Sequence, residues 1–251
     1  MADIKWLMCS DVHFPRHDPR KVSLWMDVLR YLKPQAVDLL GDIDDAEETS
    51  QWAKGSSKEG FSLSLTGIDL TKEFLREIHE IVPRADKHFH DGNHGWHRHK
   101  KWLDQNAPQT LLDKVYTPEV LYEGKKSGFE WHEYEDPPVH RFGDIYAHHG
   151  DSISKHSGES VRNDCLNWGV SVVRGHSHRL GRWEQTYPID GRSIRGFEGG
   201  HLCDPSQMKY DRSPNWQSGF LFGMVSGDDV LITPIEIRNY SCMIGTKIFR
   251  S

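Results

Sequence analysis

Residues 4–42 read IKWLMCSDVHFPRHDPRKVSLWMDVLRYLKPQAVDLLGD, and they decide the fold. The stretch opens on an apolar run, Ile4–Cys9, that stops at Ser10-Asp11-Val12-His13. It closes on a second apolar run, Ala36–Leu40, that stops at Gly41-Asp42. Both runs are short and nearly continuous, as strands buried on both faces are. Between them Val22, Trp25, Met26, Leu29 and Leu32 recur at helical spacing and Pro34 supplies a stop, so the pattern predicts an amphipathic helix over 22–32. Strand, helix and strand in this order make a βαβ unit with parallel strands and a right-handed crossover. Each strand delivers polar residues at its far end, the rim where sites form in open α/β sheets.

Working outward, the arrangement repeats. Leu70, Phe74, Leu75, Ile78 and Ile81 mark a helix over 66–81, ended by Pro83, and a third strand, Asp86–His90, leads into Gly92-Asn93-His94. Ile145–His149 reads as a strand ending in His148-His149-Gly150-Asp151. A helix over 158–168 follows, and then a strand over 170–173 that reaches Gly175-His176-Ser177-His178. After Arg182 the runs 183–187, 193–197, 220–225 and 230–237 are divided by Asp-Gly, Ser-Gly and Gly-Asp-Asp, which are hairpin signals. A chain that begins as βαβ and ends as a meander implies two packed sheets with helices outside. Residues 46–60 read as a loop or short helices near the site. Residues 95–140, including Leu111, Leu112 and Val115, follow no single period and read as a cap or insertion shaping substrate access within one domain over 1–251.

The five polar clusters together supply carboxylates, one carboxamide and several imidazoles, the ligand set of a site for two borderline metal ions. Asp11 and His13, two apart at a strand end, share a face. Asp42 follows Gly41, which lets the backbone turn tightly, and its two oxygens suit it to bridge two ions. Asn93 is a neutral ligand candidate, with a simple turn residue as its bland alternative. His94 points elsewhere and suits a proton donor, a role that needs its charged form, which Asp45 would favour. His149, His176 and His178 complete the imidazole set. His148 and His149 face opposite ways in a strand, so only one of them is a ligand. With sixteen His in the chain, chance clusters are expected, and His97, His99, His132 and His140 read as bystanders. The weight lies on five clusters occurring jointly at strand ends.

Composition narrows the class. The chain has 251 residues, 36% of them hydrophobic, and nine Trp, ten Phe and eight Tyr supply much of the apolar bulk of a core. Mean hydropathy is −0.68, so large polar loops are expected to cover that core. A net charge of −6 argues against a nucleic-acid coat or a membrane patch. Local basic groups exist, Arg98-His99-Lys100-Lys101 and the series Arg174, Arg179, Arg182, Arg192 and Arg195, most of them expected on solvated faces and one or two near enough to touch a phosphate. Four Cys without paired spacing fit a reducing cytosol rather than a disulfide framework or zinc finger. No apolar leader is visible and no stretch approaches the ~20 apolar residues that span a bilayer, so a cytoplasmic protein without membrane partners is expected.

Asp11-Val12-His13, Gly41-Asp42-Ile43-Asp44-Asp45, Gly92-Asn93-His94, His149-Gly150 and Gly175-His176-Ser177-His178, in this order over residues 4–180, resemble the signature of the calcineurin-like metallophosphoesterase superfamily. The resemblance implies an α/β fold, a four-layer αββα sandwich with two mixed β-sheets. It implies one metal held by Asp11, His13, Asp42 and His178, and a second held by Asp42, Asn93, His149 and His176, about 3.5–4 Å apart as in two-metal sites generally. It implies His94 as proton donor oriented by Asp45, and His149 rather than His148 as the ligand beside Gly150. The cofactors would be two divalent ions, Mn, Fe, Zn or Ni, with Mn expected to support activity in vitro. One departure stands out: the acidic residue that usually follows Gly-Asn-His is Gly95 here, which implies a change around the ligands rather than loss of them.

The expected activity is hydrolysis of phosphomono- or phosphodiesters by a hydroxide bridging two metals, with Arg98 or Arg179 holding a non-bridging oxygen. A nuclease would use the same site with the run Arg174 to Arg195 as a basic rail and Trp96, Trp102 and Trp131 as stacking surfaces, against the acidic net charge. A binding module that kept its metals without catalysis is the third reading, supported only by Gly95. Substrate identity and oligomeric state are not written in the sequence.

Overall fold

The computed structural model describes residues 3–46, 49, 61–101, 105, 118–208 and 214–251. Strand β1 (Ile4–Cys9) is followed by helix α1 (Pro19–Leu32), β2 (Ala36–Leu40), α2 (Phe61–Ile81) and β3 (Asp86–His90). A π-helical stretch, His94–Lys100, precedes a single helical turn, α3 (Pro118–Leu121), and strands β4 (Glu130–His132), β5 (Val139–Phe142) and β6 (Ile145–His148). Helix α4 (Glu159–Trp168), β7 (Ser171–Arg174), β8 (Leu180–Thr186) and β9 (Ser193–Gly199) come next. Four strands end the chain, β10 (Gly219–Ser226), β11 (Asp229–Glu236), β12 (Ser241–Ile244) and β13 (Lys247–Arg250).

Two mixed sheets result. The first has the order β11-β10-β1-β2-β3-β4 and the second β5-β6-β7-β9-β8, with β12 and β13 forming a separate hairpin. β1, β2 and β3 run parallel, as do β6 and β7, so each sheet presents several strand C-termini on one edge. Alternation along β1 explains the layering. Leu7 and Cys9 face Leu24, Trp25, Leu29, Phe74 and Leu75 of α1 and α2. Trp6 and Met8 face Ile145, Ala147, Val173 and Phe197 of the second sheet. Val161 and Cys165 of α4 cover Val172 and Ile194 on the outer face of that sheet. The order is helix, sheet, sheet, helix, the expected αββα sandwich.

Element ends have local causes. Asp18 caps α1 by accepting the N–H groups of Arg20 (3.0 Å) and Lys21 (3.4 Å), and Pro19 takes the first helical position. The helix therefore starts three residues before the apolar period shows it. It closes on Lys33 in the left-handed region, whose N–H returns to Leu29 O at 2.9 Å. The expected loop over 46–60 and the segment holding Leu111, Leu112 and Val115 lie largely outside the described residues. Of 95–140, the described part includes β4 and the start of β5, which are edge strands of the first and second sheets. No described helix is long and apolar enough to cross a membrane.

Candidate metal centre

The residues that end β1, β2, β3, β6 and β7 meet along one rim and form two sets. In the first, Asp11 Oδ1 lies 3.1 Å from His178 Nε2 and 3.8 Å from His13 Nε2. The two Nε2 atoms are 3.1 Å apart. In the second, His149 Nε2 lies 3.3 Å from Asp42 Oδ2 and 3.2 Å from Asn93 Oδ1. His176 stands over His149 with ring centroids 5.0 Å apart, and its backbone N–H donates to Asp11 Oδ2 at 3.0 Å, tying the sets together. All seven side chains expected as ligands are thus on this rim. Asp42 groups with His149 and His176. Toward the first set it is joined through backbone, its carbonyl accepting the His13 N–H at 3.0 Å.

Backbone conformation marks the same rim. Ten non-glycine residues among those described have positive φ, and five of them are Asp11, His13, Asp42, His176 and His178, at 50° to 67°. An αL conformation costs a β-carbon residue of order 1 kcal/mol, and such strain clusters where function demands a side-chain direction. Close approach is the second device. A Cβ on Gly41 would lie 2.2 Å from His149 Nδ1, and one on Gly92 would lie 2.1 Å from Asp42 Oδ1. These motif glycines make room for the functional side chains packed on them.

Tautomers follow from the hydrogen bonds. His149 Nδ1 donates to Leu40 O at 2.7 Å, so the neutral ring turns a lone pair at Nε2 toward two oxygens. His13 Nδ1 bonds Asp45 Oδ1 at 3.0 Å, leaving Nε2 to face His178 Nε2 and Asp11. Among the described residues, Asp11 Oδ1 and His178 Nδ1 are buried without hydrogen-bond partners. Acceptor atoms converging in this way at two points, with oxygen and imidazole donors mixed, fit divalent transition ions. The charges agree. Burial would raise the Asp11 carboxyl, but His178 and His13 hold it well below the usual carboxylate range. Burial would likewise raise Asp42, which His94 and His149 hold low. Against its own burial, His13 is pushed up to about 10 by Asp11, Asp45 and Asp42, and His149 is raised by Asp42. Burial and the neighbouring His149 bring His176 down to about 3.

Cation binding at His13 and His149 must displace their protons. Calorimetric Mn2+ titrations in buffers of different ionisation enthalpy are expected to report proton release, with apparent affinity rising between about pH 6 and 9. Affinity flat across that range would contradict a ligand role for these two imidazoles.

Beside the two sets, Asp45 holds His94. His94 Nδ1 lies 3.0 Å from Asp45 O and 3.2 Å from Asp45 Oδ1, while Nε2 turns toward Asp42 Oδ2 at 3.7 Å. Its backbone N–H donates to Asp42 Oδ1 at 3.0 Å. The expectation that nearby carboxylate would favour charged His94 meets a stronger opposing effect: burial, joined by Arg98, lowers its pKa despite Asp42 and Asp45. Arg98 NH1 donates to Asp45 O at 2.6 Å. Of the two candidates in the fourth motif, His149 is in the set and His148 bonds Asp164 at 3.2 Å on the outer face.

Several sequence expectations part from the geometry. Arg174 is fully buried and bonds Asp164 at 2.6 Å, Arg195 pairs with Asp144 at 2.6 Å, and Arg182 pairs with Glu184 on the exposed side of β8. Trp131 stacks on Phe89, ring centroids 4.1 Å apart, against the main core, and Trp102 lies outside the described residues. His132 is a buried, hydrogen-bonded residue away from the rim. It joins His88, His90, Asp38 and Arg141 between the sheets, with its Nε2 2.6 Å from His88 Nδ1. His88, Glu130 and His132 have metal-ligand spacing, but Arg141 NH1 lies 2.6 Å from His88 Nε2 and already supplies a cation there. Two neighbours of the rim escaped the sequence reading: Trp216, 4.2 Å from the His178 ring between centroids, and Asp91, buried behind Asn93. Neither lies in a motif, and Trp216 is distant from the strand ends in sequence.

No family model matches the chain. The Gene 54 protein of Mycobacterium phage L5 is 26% identical over 243 residues, covering 89% of this chain and 90% of the phage protein. Vacuolar Protein Sorting 29 from Cryptosporidium parvum superposes with a TM-score of 0.50 at 13% identity, covering 100% of both chains. Yfce, a phosphoesterase from E. coli, is similar at 12% identity and a TM-score of 0.43, covering 96% of this chain and 97% of that one. At the level of fold, the expected mixed α/β architecture with two packed sheets is met.

Proposed function

We propose that the chain is a metal-dependent phosphoric ester hydrolase acting on phosphomono- or phosphodiesters. The observation that supports this most is the meeting of Asp11, His13, Asp42, Asn93, His149, His176 and His178 from five separate strand ends, with lone pairs converging at two points. In this reading Asp11, His13 and His178 hold one divalent ion, Asn93, His149 and His176 hold the other, and Asp42 serves both. When bound, the pair supplies Lewis-acid polarisation of the phosphoryl group and a nucleophile available at neutral pH. Mn, Fe, Zn and Ni all suit mixed oxygen and imidazole donors.

The chain's own residues do the rest. Asp45 takes the Nδ1 side of His94 and so fixes Nε2 toward the rim, where a leaving oxygen needs a proton. An anionic phosphate brought beside this imidazole favours its charged form and opposes the effect of burial. Arg98, anchored on the Asp45 carbonyl, brings a fixed positive charge to the same side and suits a non-bridging oxygen. Less supports the nuclease reading, because Arg174 is buried against Asp164 and Trp131 packs on the core.

Purified protein loaded in turn with Mn2+, Fe2+, Zn2+ and Ni2+ is expected to turn over p-nitrophenyl phosphate or bis(p-nitrophenyl) phosphate. Failure with every ion and both esters would overturn the proposal. His94→Ala is expected to lower kcat by roughly 10²–10⁴-fold while bound metal per chain stays unchanged, measured by steady-state kinetics beside elemental analysis. Parallel loss of metal and activity would move His94 from proton transfer to the ligand set.

A further inference from the structure

Gly95 sits against a carboxyl group. A Cβ at this position would lie 2.2 Å from Asp91 Oδ1, 3.1 Å from its Cγ and 3.3 Å from Oδ2. The Asp91 carboxyl therefore fills the space in which any side chain at position 95 would have to begin. Asp91 is 3% exposed, and Oδ1 accepts the Gly92 N–H at 2.9 Å. Oδ2 is buried without a hydrogen-bond partner among the described residues. Its backbone is held as well, the N–H donating to His132 O at 2.8 Å. A short side chain anchored at both ends in a closed space cannot swing aside for a neighbour.

The position matters because Asp91 carries the turn that follows. Gly92 is pressed against Asp42, Asn93 faces His149, and His94 donates its N–H to Asp42. Of the charged groups around Asp91, Asp42 and His149 belong to the second ligand set and Glu133 lies outside it. The two glycines of the turn thus each accommodate one carboxyl, Gly92 that of Asp42 and Gly95 that of Asp91. The resembled pattern has its acidic residue after Gly-Asn-His, where this chain has Gly95.

Resting on the metal-dependent reading above, we infer that Asp91 is a positioning residue for the second half of the centre, its carboxyl occupying from position 91 the place that an acidic side chain at 95 would otherwise take. It braces the Gly92 N–H, and through it the angle at which Asn93 and His94 enter the rim. Groups that orient metal ligands are worth about 10–100-fold in metal affinity. The two positions exclude each other: an acid fits at 91 or at 95, not at both.

Four variants test this, read by Mn2+ calorimetry and by the melting temperature of the metal-free protein. Asp91→Ala is expected to weaken the binding of one of two Mn2+ ions by about 10-fold, whereas Asp91→Asn, whose carboxamide oxygen still accepts the Gly92 N–H, keeps it within threefold. Gly95→Glu alone is expected to lose that ion or to melt well below the parent. Asp91→Ala with Gly95→Glu recovers affinity beyond either single variant. The inference is overturned if Asp91→Ala binds both ions as the parent does, or lowers only the melting temperature. It is also overturned if Gly95→Glu is tolerated beside Asp91. A parent protein that takes up no Mn2+ sinks the metal-dependent reading itself, which separates the two failures.

Discussion

Asp42→Asn is expected to leave a folded protein that has lost at least about 10³-fold in kcat/KM toward p-nitrophenyl esters, a loss of roughly 4 kcal/mol in transition-state stabilisation. The substitution keeps the shape of the side chain and an oxygen for the His94 N–H, which Asp42 Oδ1 accepts at 3.0 Å. What it removes is charge and a second oxygen. Oδ2 lies 3.3 Å from His149 Nε2 and 3.7 Å from His94 Nε2. A carboxamide nitrogen there donates rather than accepts and repels a cation. Bound metal is expected to fall from two ions per chain toward one or none by elemental analysis, with circular dichroism unchanged. Activity and metal content both at parent level would exclude Asp42 as a shared ligand. Activity absent from the parent with two ions bound would favour the non-catalytic module instead.

The elements around the rim were legible because each obeys a local rule. β1 and β2 begin and end where the apolar runs do, and β3 (DKHFH), with one apolar residue, is placed by the motif that follows it. The ligand positions were legible for the same reason, each lying within a few residues of a strand end. Helix starts were less so. α1 begins at Pro19, earlier than the apolar period, because its first turn is set by the Asp18 cap rather than by packing, and α2 begins at Phe61, five residues before the expected start. Around His94 the carboxylate neighbour that raises its pKa can be seen in sequence, and the burial that lowers it cannot. Asp91 was invisible for a related reason: its meaning lies in what it denies to Gly95, a contact of volumes rather than a pattern of residues.

Least legible was the polar layer between the sheets. Asp38 sits inside AVDLL, a run that reads as an apolar strand, and its cationic partner Arg141 is 103 positions away. Asp38 is fully buried and accepts Trp6 Nε1 at 2.5 Å, His90 Nε2 at 2.9 Å and Arg141 Nε at 2.9 Å. Arg141 reaches on to Asp86 Oδ2 at 2.9 Å. Burial would raise the Asp38 carboxyl; Arg141 and His90 instead hold it below the usual carboxylate range. Arg141→Met removes the compensating charge and leaves a carboxylate in the interior. That is expected to cost about 3–5 kcal/mol, or roughly 6–20 °C in melting temperature for a chain of this size. The sign of the pH dependence checks the cause. In the parent, the folded pKa of Asp38 is depressed, so its contribution is fully present above the unfolded value of about 4 and is lost as pH falls through the folded one. In the variant, protonation relieves the stranded charge, so the stability gap between parent and variant is expected to narrow below about pH 4. Replacing Asp38 by Asn alongside Arg141→Met is expected to recover part of the loss, because the buried charge is then removed while a carboxamide oxygen remains to accept a buried donor. A gap that stays constant with pH, or a double variant no more stable than Arg141→Met, would show that Arg141 acts on the sheet interface by packing alone.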